Sequence, residues 1–421
     1  MQYYNAHSHV FTMKNAPRQF LSLYMPEFLA KAIDTVTNTD AGAASVAWLL
    51  SKLPGAAGKR YASFLKIGKS TEQIDVFRTL RDQYDDQHFR FVGLTMYMED
   101  CGAQDSLSGY EGQLDGVIEI KRQYPDNFLV FLGVDPRWKG TATELRRTVE
   151  AKFNARIAVT SARSVYPFVG LKLYPSTGFY AFDPKLGETL EWAAENHVPI
   201  VTHCNYLGGI YNNDAHFLRN SISPLDPYNN KPYPGKYVEE FKLGRWLTGT
   251  HRSRNNKLTC SYFLEPESFR GLLQSHEGKD PLKICFAHYG GAQQIITQSN
   301  GGNNNPPIGI NSRNWCGQIQ LLMRDFSQVY TDISYALSNK DTHAFIIKKE
   351  LRNPVYGNRI LFGTDFFMTE RVLPEKKDYY RFRNAAQQVP GLIPQKNAWD
   401  AIAGDNVHAF LQSKFYDGNV I

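Results

Sequence analysis

Short apolar runs, rich in β-branched and aromatic residues, alternate along the chain with longer segments of helical periodicity. This is the pattern of βα units feeding a parallel sheet. Eight such runs are present: Tyr3–Val10, Phe89–Tyr97, Phe128–Val134, Phe168–Tyr174, Pro199–Cys204, Lys283–His288, Gln328–Ser334 and Arg359–Phe366. Eight strands predict an α/β fold of the closed (β/α)8 TIM-barrel type, although a large doubly wound sheet would produce similar runs. Helix punctuation falls between them. Ser70 with Gln73 has the form of a capping box, Asp183–Pro184 that of an N-cap and first helical position, and Glu265–Pro266 a weaker version of the same signal. Pro125 and Pro354 stand where helices over residues 111–123 and 341–352 should stop.

Such a barrel needs about 250 residues, so roughly 170 here are embellishment on a single domain spanning residues 1–421. Residues 11–88 form an oversized first connection. It reads as helical because Phe20, Leu21, Leu23, Tyr24, Phe28 and Leu29 recur at three- and four-residue spacing. Residues 205–281 form a long fifth connection rich in Asn, Pro and Tyr, and residues 299–317 a polar Gly/Asn/Pro loop after the sixth strand. The last two leave strand C-termini, so they should overhang whatever site the barrel carries. No internal repeat or interdomain linker interrupts the pattern.

Charge and composition narrow the function. The 47 Lys and Arg against 41 Asp and Glu give a net charge of +6, scattered rather than gathered into a stripe, so no nucleic-acid partner is expected. The weakly polar stretch at residues 41–50 is half the roughly 20 residues needed to span a bilayer, and no membrane association is expected. Residues 2–10 already read as a barrel strand, which leaves no room for a secretion leader. Five cysteines, an odd number without a C-x-x-C pair, argue against a disulfide framework or a thiolate zinc knuckle and for a reducing, cytoplasmic setting. There is no G-x-S-x-G elbow, Walker loop or H-E-x-x-H helix.

Four segments at predicted strand ends carry the chemistry: N-A-H-S-H (His7, His9), P-I-V-T-H-C (His203), C-F-A-H-Y-G-G (His288) and F-G-T-D-F-F (Asp365). In a parallel barrel these distant positions converge at the carboxyl rim of the sheet. Alternation along a strand points His7 and His9 to one side, where two imidazoles can share a cation. His203 ends an apolar strand, sharing a face with Val201, and is either a ligand or a core histidine satisfied by a carbonyl. An unpaired carboxylate at Asp365 would cost several kcal/mol in a buried strand, so it calls for a cation or a donor cluster, with a helix N-cap as the plainer reading. His288, before Gly-Gly, suits a fourth nitrogen ligand or a general acid/base. We favour the second, because His7, His9, His203 and Asp365 already make four ligands and a catalytic metal keeps an open position. Alternation places Val169, Leu171 and Leu173 against the helices and Gly170, Lys172 and Tyr174 inside the barrel. Lys172 there is an ion-pairing or substrate-orienting group, a carboxylated bridge between two metals, or a partly solvated structural lysine. Asp135 and Arg137 in G-V-D-P-R hold either each other or an anionic substrate.

Taken with V-D-P-R, G-x-K-L-x-P and the closing I-A-G-D-N-V-H-A-F-L, these motifs make the chain resemble the amidohydrolase superfamily. The likeness is to its amidohydrolase-2 branch, which includes aminocarboxymuconate-semialdehyde decarboxylase, and it covers nearly the whole chain. It implies a zinc, or another divalent metal, held by His7, His9, His203 and Asp365, with His288 near a water on that metal. A second ion would be bridged by Lys172 if that lysine is carboxylated. The long insertions at 11–88 and 205–281 are not typical of the decarboxylases, and some relatives hydrolyse lactones without metal.

The reading that follows is a metal-dependent hydrolase attacking an amide- or lactone-type bond of a small molecule. Asp365 shuttles the water proton, and His288 orients the nucleophile or stabilises an oxyanion. The rival is non-oxidative decarboxylation of a small carboxylic acid. A binding protein on a decayed barrel is a third reading, against which the complete ligand set speaks. Tyr206, Tyr211, Arg219, Tyr228, Tyr233, Arg252, Arg254 and Arg313 would suit an anionic or ring-bearing substrate, or else form a solvated surface or a homo-oligomer contact.

Overall fold

All eight predicted runs contain a strand of one parallel sheet whose spatial order follows the chain. The structure, a computed structural model, describes residues 1–17, 67, 70, 72–102, 105–206, 212, 225–226, 231–232, 263–278, 280–301 and 314–417. The strands are β1 (Tyr4–Ser8), β2 (Arg90–Leu94), β3 (Phe128–Val134), β4 (Gly170–Leu173), β5 (Ile200–Thr202), β6 (Ile284–Phe286), β7 (Val329–Asp332) and β8 (Ile360–Leu361). The first and last close on each other. Ala6 N donates to Phe362 O at 2.8 Å, Asp365 N to His7 O at 2.9 Å and His9 N to Phe366 O at 2.5 Å. Most strands are shorter than their apolar runs, and His203, His288 and Asp365 lie just beyond the ends of theirs.

Two apolar layers result. Tyr4, Val92, Leu94, Leu129, Phe131, Val201 and Leu361 fill the barrel, while the larger cluster lies between strands and helices. Gly170 is required for the inner layer: a Cβ there would lie 2.2 Å from the Phe131 ring. The predicted alternation on β4 holds for Leu171 and Leu173, which face the helices, but not at its start. Val169 joins the inner layer, since it lies just before the strand, where pleating no longer governs direction, while at the other end the Tyr174 ring stands 4.9 Å from that of His203 and 5.9 Å from Lys172 Nζ, on the side expected of it.

The surrounding helices include α1 (Gln73–Arg81), α2 (Gly109–Gln123), α3 (Ala142–Asn154), α4 (Gly187–Glu195), α5 (Arg270–Ser275), α6 (Ala292–Ser299), α7 (Trp315–Asp325), α8 (Glu375–Gln387) and α9 (Asn406–Leu411). Asp183 caps as expected, its side chain accepting Lys185 N at 2.9 Å ahead of α4. The capping box expected at Ser70 does not form: Glu72 is the N-cap of α1 and makes no side-chain cap. Thr141 and Glu144 form one instead, at the start of α3. The helix expected at 341–352 is a short α turn, His343–Phe345, followed by a π turn, Ile346–Glu350. The polar loop expected over 299–317 ends earlier, because Asn314 caps α7 through Gly317 N. Phe20 to Leu29, the helical reading of the first insertion, lies outside the described residues, as does most of 205–281.

At the strand starts, α9 plugs the barrel. Phe410 meets Tyr330 with ring centroids 5.0 Å apart, and Tyr4 and Tyr416 hydroxyls are 2.7 Å apart. With that end filled, chemistry is confined to the other. Among the described residues no helix is long and apolar enough to cross a membrane.

Candidate metal centre

β1 delivers His7 and His9 to the carboxyl rim, both buried, and β8 delivers Asp365 opposite them. Asp365 Oδ1 lies 3.4 Å from His7 Nε2 and 3.2 Å from His9 Nε2. This approach needs Gly363, where a Cβ would stand 2.7 Å from His7 Cβ. Asp365 itself adopts φ 63°, a left-handed conformation that non-glycine residues hold only when their surroundings over-determine it. The same is true after β6, where His288, Tyr289, Gly290 and Gly291 all have positive φ and swing the His288 ring across the barrel mouth. His288 and His203 meet there, Nε2 to Nδ1, at 3.0 Å.

The partners of each ring assign its tautomer when neutral. His9 Nδ1 faces the Leu94 carbonyl at 3.1 Å, and His7 Nδ1 faces Asp332 Oδ2 at 2.9 Å. Both partners only accept, so both Nδ1 atoms carry the proton and both Nε2 atoms present lone pairs. His288 Nδ1 faces the Ser334 carbonyl at 3.0 Å, so its Nε2 is an acceptor and takes the Nδ1 proton of His203. His203 Nε2 is thereby left as a buried lone pair with no hydrogen-bond partner, as is His7 Nε2. Two groups of side chains have the spacing of a cation site among the described residues: His7, His9 and Asp365, and His7, His288 and Asp332. The tautomers favour the first; His203 belongs to neither group, though its unpartnered Nε2 lone pair is offered from the ring that His288 holds.

The chain's sequence matches the amidohydrolase family profile over residues 81–411. The chain belongs to the amidohydrolase family. No protein of curated function matches it in sequence. Its fold is similar to that of 5-carboxyvanillate decarboxylase from Novosphingobium aromaticivorans with bound manganese and 3-methoxy-4-hydroxy-5-nitrobenzoic acid (11% identity, 97% of each chain, TM-score 0.51). Lower similarities are to 2,6-dihydroxybenzoate decarboxylase from Rhizobium (16% identity, 98% of this chain and 99% of that one, TM-score 0.48) and to 4-oxalomesaconate hydratase, LigJ, from Rhodopseudomonas palustris (12% identity, 97% and 95%, TM-score 0.45). At these identities the likeness is one of fold.

For an amidohydrolase, the site must offer deprotonated ligands, and its electrostatics do so. Burial, reinforced by Lys172, lowers His7 to about 4, and burial with neighbouring cationic groups holds His203 well below the ordinary value and His288 below it. Burial opposes ionisation of Asp365 and Asp332, yet contacts with His9, His288 and His7 hold both below the usual carboxylate range. Neutral imidazoles beside ionised carboxylates, with buried lone pairs lacking partners, fit a divalent cation.

One member of the site was not singled out from the sequence. Asp332, at the end of β7, accepts from His7 Nδ1, from His288 N at 2.9 Å, from Ser334 N at 3.0 Å and from the Ser334 hydroxyl. It ties the β1 histidine to the β6 one. The signal was present in V-Y-T-D-I-S, an acid closing a buried strand, which is the same argument that marks Asp365.

Lys172 lies in the barrel as expected, 1% exposed, and its Nζ has no hydrogen-bond partner. Burial lowers it to about 8, against the pull of Asp332 and Asp365. Asp135 and Arg137 hold each other. Arg137 Nε donates to Asp135 Oδ1 at 2.7 Å, and its other nitrogens reach Asp100 O, Thr177 O and Thr177 Oγ1. Of the proposed substrate residues, Tyr206 is half-buried with its ring edge-on to Trp315 at 5.3 Å. Tyr211, Arg219, Tyr228, Tyr233, Arg252, Arg254 and Arg313 lie outside the described residues.

Proposed function

We propose that this amidohydrolase hydrolyses an amide- or lactone-type C–N or C–O bond of a small molecule, with His7, His9, His203 and Asp365 holding one divalent cation. The observation that carries this is the approach of the His7 and His9 Nε2 atoms to the Asp365 carboxylate, with the Nε2 lone pairs of His7 and His203 buried without partners. A divalent ion bound there, zinc or another such as manganese, would polarise a carbonyl and lower the pKa of water toward about 7. Asp365, kept ionised, accepts the proton of the attacking water and returns it to the leaving group. His288 Nε2, its lone pair taken by the Nδ1 proton of His203, fixes the tautomer that leaves His203 Nε2 able to bind a cation. Lys172 supplies a buried positive charge that orients an anionic or carbonyl-bearing substrate.

Decarboxylation of a small acid is the second reading. It is favoured by the same lysine, an unpartnered ammonium suited to gripping a carboxylate, and by the fold shared with a carboxyvanillate decarboxylase. The purified protein, loaded with zinc or manganese, should be screened against lactones, amides and aromatic carboxylates in 18O-labelled water. Label in the organic product supports hydrolysis, whereas carbon dioxide release with no label in the organic product transfers the proposal to decarboxylation. Failure to bind either ion stoichiometrically would remove the metal centre.

A further inference from the structure

β8 is two residues long, and it must place Asp365, four residues beyond its end, opposite His7 on β1. Behind the backbone bonds that close this seam lies a buried polar cluster bonded to both segments. Asn5 Oδ1 accepts from His7 N at 3.2 Å and from Thr364 N at 3.2 Å, the peptide groups adjoining two candidate ligands. Asn5 Nδ2 donates to Thr364 Oγ1 at 2.8 Å and to the Tyr84 hydroxyl at 3.0 Å. Both hydroxyls pass their own protons to a single atom, Glu375 Oε1, Thr364 at 2.7 Å and Tyr84 at 2.6 Å. Every hydrogen in the cluster points the same way, and Glu375 is its terminus.

Glu375 opens α8 and is 0% exposed, as is Asn5. Without an acceptor at Oε1, the Thr364 and Tyr84 hydroxyls would turn to compete for Asn5, which has no acceptor capacity to spare while it holds both backbone amides.

From this geometry we infer that Glu375 is a positioning residue for the metal centre: through Thr364 and Asn5 it sets the spacing of His7 and Asp365, without touching either. The inference rests on the metal-centre reading above.

Two branches leave Glu375, and only the Thr364 branch runs directly to Asp365, so variants separate positioning from plain stability. Glu375→Leu and Thr364→Val should each weaken zinc or manganese affinity about ten- to hundred-fold, the range seen when outer partners of metal ligands are removed. Glu375→Gln keeps an oxygen at Oε1 and should stay within about three-fold of the parent on the same scale. Tyr84→Phe should lower the melting temperature yet leave affinity near the parent's. Affinity is read by chelator competition on folded protein, with melting temperature in parallel. Parent-like affinity in folded Thr364→Val overturns the inference even if Glu375→Leu does not fold, and so does equal loss in Glu375→Gln and Glu375→Leu. If the parent itself takes no ion, the metal reading fails instead. Positioning is then read from the Nδ1 proton resonance of His7, which Thr364→Val must shift and Glu375→Gln must leave in place.

Discussion

The Asp332 carboxylate accepts the Nδ1 proton of His7 at 2.9 Å, and this one bond decides which nitrogen of His7 can serve a cation. Carboxylate–histidine pairs of this kind fix ring orientation and raise ligand basicity. Asp332→Asn should therefore be more damaging than its size suggests. Its oxygen would stay with the amides of His288 and Ser334, which leaves an NH2 facing His7 Nδ1. His7 would then move its proton to Nε2 and lose the lone pair. Cation affinity should fall about ten- to hundred-fold, with the melting temperature close to the parent's. Unchanged affinity by chelator competition would show that His7 is not a ligand.

Asp365→Asn tests the proton shuttle. The fold should persist, since the backbone amide of Asp365, not its side chain, closes the seam with His7 O at 2.9 Å. Turnover of whichever substrate the screen identifies should drop by about a hundred-fold or more, the usual contribution of a positioned acid/base. Parent-like turnover in that variant rules out the role.

Lys172→Met separates stability from activity. The ammonium is depressed from 10.5 to about 8, so the folded state binds its proton less tightly than the unfolded chain does. The resulting cost is fully present below about 8 and is relieved as pH rises through 10.5. The methionine variant should accordingly be more stable at neutral pH, on the order of 3 kcal/mol, with the gain shrinking across that window. Turnover should fall at least about ten-fold if the charge orients substrate. Urea melts and rate measurements on one preparation check both; a variant that is less stable and fully active contradicts both expectations.

Glu375 titrates in the opposite sense. Burial lifts its carboxyl from 4.5 to about 8, with the bonds from Tyr84 and Thr364 only partly offsetting the rise. Over that interval the folded protein keeps a proton that the unfolded chain has lost, so stability declines as pH rises, by about 4 kcal/mol near pH 7.5. Glutamine cannot ionise. The stability difference between Glu375→Gln and the parent should thus grow in the variant's favour from about pH 5 to about pH 8. A difference that does not vary with pH would mean Glu375 is ionised in the folded state.

The strands were legible because each is an apolar run several residues long between polar helices, and burial on both faces leaves that mark on composition. Strand ends were less so. His203, His288 and Asp365 all lie past the ends of their strands, and nothing local distinguishes a residue that continues the pleat from one that turns off it. Asp332 was overlooked in a run read only as a strand, although it carries the signal that picked out Asp365. Glu375, in E-K-K-D at the start of an amphipathic helix, reads as solvated; its burial exists only because Tyr84 and Thr364, hundreds of residues apart, meet there.

From the order of residues alone came the eight-strand alternation, the side of the sheet on which the chemistry collects, and the residue types that make a cation site. These follow from periodicity and from what buried imidazoles and carboxylates require. Which nitrogen of each histidine carries its proton was decided by tertiary structure, as were the mutual pairing of Asp135 with Arg137 and the binding of the β1–β8 seam through Asn5 to Glu375. The tautomers and the seam depend on partners from distant parts of the chain that closing the barrel brings within hydrogen-bond reach, whereas Asp135 and Arg137 are two residues apart and it is Asp100 and Thr177 that hold the arginine in place.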